Sequence, residues 1–522
     1  MKGKVFSALA LLAALILISF AFARVSFGIQ DFSTSQFSNA ADLEALCTPN
    51  PTSFWCDLRG QDLKLITTKS VDYIFDSSGE VVGLYAKQQR GQDFKGNYNL
   101  DNNQNLIPYT AQIPGGAVFV GGERLEPETT TSNWQEVERN GEDALLGEFS
   151  YQTDGYSVEK TILVSSARNS MDVEVTVSRV EAGQAPVEVQ YAYSGIGRQD
   201  TPVIKVGQGE NFTLNPVAQP VQDPSYISLQ NNNNNRAFAI VMRPDPNAEG
   251  AGGQNLAALP RSARQIALTK TLPPEANTSV TLDTEVYGGP NEMVRYLQEG
   301  YLDLPGLFRP NILGRVSLGI IIALQTIHGV VGSWGLSIIV LTLLFRILVW
   351  PLIATQTKSM MGMQQLQPKL QALQKKHKDN REKLTEETMK LYKEAGVNPA
   401  GGCLPILVQM PIFIILWRVF INFEFNEGFL WIPDLGLNDP YYVLPLLYVV
   451  VMAGQAFVSA QGNMQSLRQQ LLMSGVFVFF IFNFPAGVTL YLITSMAIQV
   501  LQQFLIKRTS APPAAPAQAK AK

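Results

Sequence analysis

Residues 334–351 read Trp-Gly-Leu-Ser-Ile-Ile-Val-Leu-Thr-Leu-Leu-Phe-Arg-Ile-Leu-Val-Trp-Pro. The run is apolar enough to cross a bilayer, yet it holds one full charge, Arg346. The next charged residue, Lys358, lies 12 positions on, which is about 18 Å along a continuous helix. An arginine side chain snorkels only a few ångströms, so Arg346 does not clear the hydrocarbon on such a helix. A lone charge at that depth costs about 3 kcal/mol on insertion scales. A neighbouring helix or a locally thinned bilayer would satisfy it. The sharper reading is a water-filled cavity that needs a positive charge.

Around this stretch the 522 residues divide into two kinds of sequence. Residues 25–305 are polar and rich in Gly, Asn, Thr and Val, whereas 311–506 are dominated by long apolar runs. The net charge of −4 conceals an uneven distribution. Basic residues gather between Lys358 and Lys393 and again at Lys507, Arg508, Lys520 and Lys522. No base-reading motif accompanies them, which argues against a sequence-specific nucleic-acid-binding domain.

Lys2 and Lys4 precede an apolar run from Val5 to Phe22. Residues 1–24 are therefore a membrane anchor or a cleaved signal, since Ala21-Phe22-Ala23 fits a small-x-small cleavage site. Either way, the chain beyond residue 24 is exported. In 25–305, short alternating segments recur: Val71–Phe75, Val81–Tyr85, Ala117–Val120, Tyr156–Val164, Met171–Val180, Val187–Tyr193, Ala237–Met242 and Val280–Val286. Gly, Asn, Asp and Pro punctuate them, which predicts a large antiparallel β-sandwich. The chain's two histidines, His328 and His377, both lie outside this domain. That argues against histidine acid–base chemistry or a histidine-ligated metal there, and the domain reads as a binding or scaffolding module. Cys47 and Cys56 flank a Pro-rich loop and would form a disulfide if exported, the alternative being two unpaired thiols.

Asn291–Glu299 has helical spacing. Within 306–332, residues 311–331 are apolar but interrupted by Arg315, Gln325 and His328. Gly332-Ser333 leaves little room for a turn between two spans, so this segment reads as an interfacial amphipathic helix feeding a span at 333–353. A complete extra span is the alternative. Residues 354–400 interleave Lys and Glu with Met and Leu at helical spacing, which predicts a helical hairpin turned near Lys378-Asp379-Asn380. Four further spans occupy 401–422, 441–460, 469–484 and 486–506, ahead of a tail at 507–522 of disordered composition. The loop 423–440 is acidic and the hairpin basic, so the positive-inside rule puts the hairpin and the C-terminus in the cytoplasm and 423–440 outside. Gln409, Gln455, Gln499, Gln502 and Gln503 interrupt the spans. Singly each suits interhelical bonding; with Arg346 they make a polar interior. Among classes of function, a solute transporter or channel using Arg346 as an anion site is the main alternative to a protein-handling role.

The same segments resemble the YidC family of membrane protein insertases. The resemblance rests on Trp334-Gly335-Leu336-Ser337-Ile338-Ile339 leading to Arg346 and Pro351, on Leu366-Gln367-Pro368-Lys369, and on Asn398-Pro399-Ala400-Gly401-Gly402-Cys403. It continues through Gln409-Met410-Pro411-Ile412-Phe413, Asp439-Pro440-Tyr441-Tyr442 and Phe484-Pro485-Ala486-Gly487. It implies a multi-domain inner-membrane protein with an uncleaved N-terminal anchor, a periplasmic sandwich resembling a sugar-binding fold, and a bundle of five core spans. It also implies a hydrophilic groove open to cytoplasm and lipid, with no cofactor, metal or catalytic residue. The groove arginine and threonine correspond to Arg346 and Thr342. A tyrosine pair that touches substrate corresponds to Tyr491-Leu492, so only the first is kept. With Gln409 and Gln455 these form the expected groove. The partners implied are nascent membrane proteins, the Sec translocon, the ribosome and membrane lipids.

Overall fold

The computed structural model describes most of residues 62–86, 113–351, 369–395 and 404–509, together with 33–36, 106–107 and a few positions between 354 and 366. The expected anchor at 1–24, the Cys47 and Cys56 pair and the tail beyond 509 lie outside the described residues. The chain divides into two compact units. One comprises residues 29–315 with 422–424, the other 1–28, 316–421 and 425–522.

The first unit is β-rich. The eight segments expected as strands are strands; Val71–Phe75 and Ala117–Val120 match end to end, and the others shift by up to four residues. They belong to three antiparallel sheets rather than a simple two-sheet sandwich. A nine-stranded sheet runs from Asn211–Leu214 at one edge to the long strand Thr129–Arg139 at the other. A six-stranded sheet is centred on Gln265–Leu272 and Val187–Ser194, and a four-stranded sheet contains Val71–Phe75. Period-two patterning explains how they share one interior. Along Ser170–Arg179, Met171, Val173, Val175 and Val177 are buried while Glu174 is exposed. All three sheets add to one apolar core, for example Val175 and Ile240 from the largest, Tyr191 and Leu268 from the second, and Tyr73 and Phe75 from the smallest.

A short helix, α1 (Met293–Gln298), leaves the sheet's last strand. The segment after it is fastened to the nine-stranded sheet by polar bonds. Lys205 Nζ donates to the carbonyls of Gly306 and Leu307 at 3.0 Å each, and the Tyr226 hydroxyl donates to that of Pro305 at 2.7 Å. Glu299 accepts from the Asn169 backbone amide and the Ser170 hydroxyl, each at 2.6 Å. Tyr287, Tyr296 and Tyr301 pack ring against ring in a buried cluster with Leu307, with Tyr287 tilted or edge-on to the other two. The exit from the β unit is therefore a packed, hydrogen-bonded structure.

The second unit is helical: α2 (Ile312–Val331, beginning in the first unit), α3 (Trp334–Leu348), α4 (Arg381–Glu394), α5 (Leu404–Asn422), α6 (Val443–Ala460), α7 (Met464–Ile481) and α8 (Ala486–Thr509). Among the described residues α2 is the helix long and apolar enough to cross a membrane by length and composition, so the alternative of a full span is compatible with it. The tight turn between α2 and α3 depends on Gly332, whose φ of +68° is costly for any side chain; its amide donates to the His328 carbonyl at 2.7 Å. The ring of His328 stacks on Trp334 at 3.8 Å across that turn.

Residues 369–376 are helical and face α4 across a turn that ends at Asn380, which caps α4 by accepting from the Lys383 amide. Between these helices lies a cavity of about 410 Å³ lined by Lys369, Lys376, Lys390, Glu387 and Glu394 with Leu373 and Leu391. The α7 helix differs from the expected span. It starts at Met464, so residues 464–468, expected in a connecting loop, extend it by more than a turn. Arg468 is exposed on this first turn and a half of α7.

Candidate functional site

The site is built on α3 and α8, which pack against each other, with α6 against the other side of α8. On α3, Ile338, Thr342 and Arg346 recur every fourth residue and are all buried. This spacing puts them on one face. On α8, Tyr491, Ser495, Ile498 and Gln502 form the matching stripe and are also buried. The two stripes meet at Arg346. Its Nε donates to the Ser495 hydroxyl at 2.9 Å and its Nη2 donates to the same oxygen. The Gln502 amide donates to the Arg346 backbone carbonyl at 3.4 Å. Arg346 is only 8% exposed, and no carboxylate is paired with it among the described residues.

One turn along α8, the Tyr491 hydroxyl accepts from Gln409 of α5 at 2.9 Å. Four of the five expected groove residues therefore fall into one polar seam: Arg346 and Thr342 on α3, Gln409 on α5 and Tyr491 on α8. The Thr342 hydroxyl is committed to its own helix, donating to the Ile338 carbonyl at 2.6 Å. Gln455 is half-buried on α6, between Met452 and Ala456; among the described residues no hydrogen bond ties it to the seam.

The end of the bundle at the start of α3 and α8 is closed by the loop 428–440. Phe429, Ile432 and Leu435 are buried there. A Cβ on Gly335 would lie 2.1 Å from the Phe429 ring, so only glycine lets α3 approach the loop this closely. The amides of Ala486 and Gly487, at the start of α8, donate to the carbonyls of Leu437 and Leu435 at 2.6 and 2.8 Å. Asp439 accepts from the Trp431 indole at 2.9 Å and from the amides of Tyr441 and Leu444 at 3.0 and 2.6 Å, which caps α6. Arg346 lies 11 residues beyond Gly335, about 16 Å from this closed end along the helix.

Residues 326–513 match the family model described as 60Kd inner membrane protein. A membrane protein insertase YidC of Deinococcus radiodurans is 36% identical over 377 residues, covering 71% of this chain and 83% of that protein. The chain belongs to the YidC family of membrane protein insertases. A YidC of Ectopseudomonas mendocina is 41% identical over 205 residues, 38% of this chain and 34% of its own length. A crystal structure described as an active YidC insertase with the first transmembrane domain resolved shares the fold, with a TM-score of 0.54 at 20% identity over 94% of this chain and 98% of that one. The YidC-like fold, a β-rich domain with a C-terminal helical region, thus covers nearly the whole length.

Within this YidC family member, reading the sequence missed Ser495 and the Asp439–Trp431 closure. A signal for Ser495 existed: it stands four residues after Tyr491 and seven before Gln502, on the face that carries both. Of the three glutamines that interrupt the last span, Gln502 and Gln503 are buried and Gln499 is half-buried. Among the described residues no cluster of His, Cys, Asp or Glu could hold a metal ion.

Proposed function

We propose that the protein inserts nascent membrane proteins into the bacterial inner membrane and helps them fold, working through a hydrophilic groove lined by Arg346, Thr342, Gln409, Gln455 and Tyr491. One observation carries the reading most. Arg346 is a buried cation whose side-chain partner among the described residues is the neutral hydroxyl of Ser495, so its charge is available to an anionic visitor. The insertase names of the relatives agree with this.

The mechanism is physical and needs no covalent step. A client segment with a short acidic tail is drawn toward Arg346. The polar seam lowers the cost of moving tail groups part way across, because each finds partners that hydrocarbon lacks. The client helix then leaves sideways into lipid, driven by the transfer of its apolar surface. The basic hairpin 354–400 faces the cytoplasm, with the ribosome and lipid head groups as its partners, and the C-terminus lies on the same side. The acidic loop 423–440 and the β-rich domain lie in the periplasm. The N-terminal segment is an anchor and 306–332 lies along the outer interface. The protein acts alone or with the Sec translocon.

Reconstitution decides this. The purified protein in liposomes should insert a small single-span client without other proteins. Arg346→Ala should reduce insertion of an acidic-tailed client by about tenfold, the size of one lost charge-assisted contact, and affect a neutral-tailed client less. Equal losses for both tails overturn the charge-attraction account. Solute flux in the absence of insertion overturns the insertase reading and favours a transporter.

A further inference from the structure

Arg346 is held at two points by one partner helix. At the side chain, Nε and Nη2 both donate to the Ser495 hydroxyl. At the backbone, Gln502 donates to the Arg346 carbonyl. That carbonyl is one of the last four of α3, which ends at Leu348, and such carbonyls lack a partner within their own helix. Pro351 also has no amide to offer the Ile347 carbonyl one helical turn before it. Gln502 therefore gives a side-chain partner to a carbonyl in the last turn of α3. Residues 495 and 502 are seven apart on α8, so both contacts come from one face.

We propose that Ser495 is the positioning residue for the Arg346 guanidinium, turning one edge of it toward a client carboxylate and holding the charge at depth. This rests on the insertase reading of the groove. A guanidinium has five N–H donors in a planar fork. The edge formed by Nε and Nη2 is occupied by the Ser495 oxygen. Nη1 and the second hydrogen of Nη2 form a different edge, to which no acceptor is bonded among the described residues. Two parallel N–H groups on such an edge match a carboxylate in the bidentate arrangement. Without Ser495, a long flexible side chain would snorkel toward the head groups and lose this pose. Gln502 supports the same geometry through the backbone. Its own Oε1 is buried and has no partner among the described residues, so it is an acceptor aimed into the seam.

The test compares a single-span client carrying an acidic tail with the same client carrying a neutralised tail. Insertion is measured into liposomes holding the full chain. The readout is the ratio of acidic-tailed to neutral-tailed insertion, which a general loss of folding does not change. Ser495→Ala should lower this ratio about threefold, by no more than Arg346→Ala does, and Ser495→Thr, which keeps the hydroxyl acceptor, should restore most of it. In an Arg346→Ala background, Ser495→Ala should add nothing. The proposal is overturned if Arg346→Ala lowers the ratio and Ser495→Ala does not. It is equally overturned if Ser495→Ala still lowers the ratio when Arg346 is absent, because Ser495 would then act by itself. If Arg346→Ala leaves the ratio intact, the charge-attraction reading of the groove fails first.

Discussion

Two buried cations illustrate what a single residue does in this molecule. Lys160, in the β unit, is 1% exposed; its amine donates to the Gly116 carbonyl at 3.0 Å and lies 5.4 Å from the Tyr151 ring. Burial pushes its pKa below 10.5, opposed by the nearby Glu80 carboxylate. The folded state therefore binds fewer protons than the unfolded chain between that lowered value and 10.5. Stability accordingly rises with pH across this window and is lost as pH falls through the folded value. Lys160→Met should flatten the slope, and at neutral pH it should lower stability by about 1–3 kcal/mol, because it strands the buried Gly116 carbonyl and removes the cation beside Glu80. Urea unfolding of the purified protein at a series of neutral to alkaline pH values checks this; an unchanged slope rejects it. Arg346 is the other case. It was legible in the sequence because a full charge in an apolar run is conspicuous, as was Gln409; Tyr491 entered only through the resemblance to the YidC family. Ser495 was not legible. A serine is common in apolar helices and can satisfy itself on its own backbone, as Ser337 does by donating to the Ser333 carbonyl. Which serine bonds a partner depends on the neighbouring helix.

At the scale of elements, the closed end of the bundle depends on a glycine–aromatic contact and a capping carboxylate. Gly335→Ala would place a Cβ 2.1 Å from Phe429, and the loop 428–440 would have to move. The cost should be about 1–3 kcal/mol, typical of overpacking a well-filled contact. It would show as a lower thermal midpoint in detergent and faster proteolysis within 428–440. An unchanged midpoint would mean that the loop yields freely. Helix positions were largely legible because apolar runs of this length have few alternatives to helix. Helix ends were less so. The end of α3 at Leu348 lies beside Pro351, and local polarity misplaces such boundaries.

At the scale of the whole molecule, the β unit has its own apolar core and keeps its exit segment on its own sheet, with Lys205, Tyr226 and Glu299 as the fastenings. Residues 29–315 expressed alone should therefore give a β-rich circular dichroism spectrum and one cooperative urea transition; a gradual, non-cooperative loss of signal contradicts this autonomy. The division into a polar β-rich part and an apolar helical part, the period-two strands and the charge in α3 were all readable from the chain. These depend on local periodicity and on the transfer cost of single groups, which are properties of the amino-acid order alone. Folding in three dimensions was needed to show that the strands form three sheets around one core, that Arg346 meets Ser495 and that 428–440 closes one end of the helices. Arg346 and Ser495, for example, stand 149 positions apart in the chain. Their partners are selected by packing between elements, and no local pattern in the chain encodes that choice.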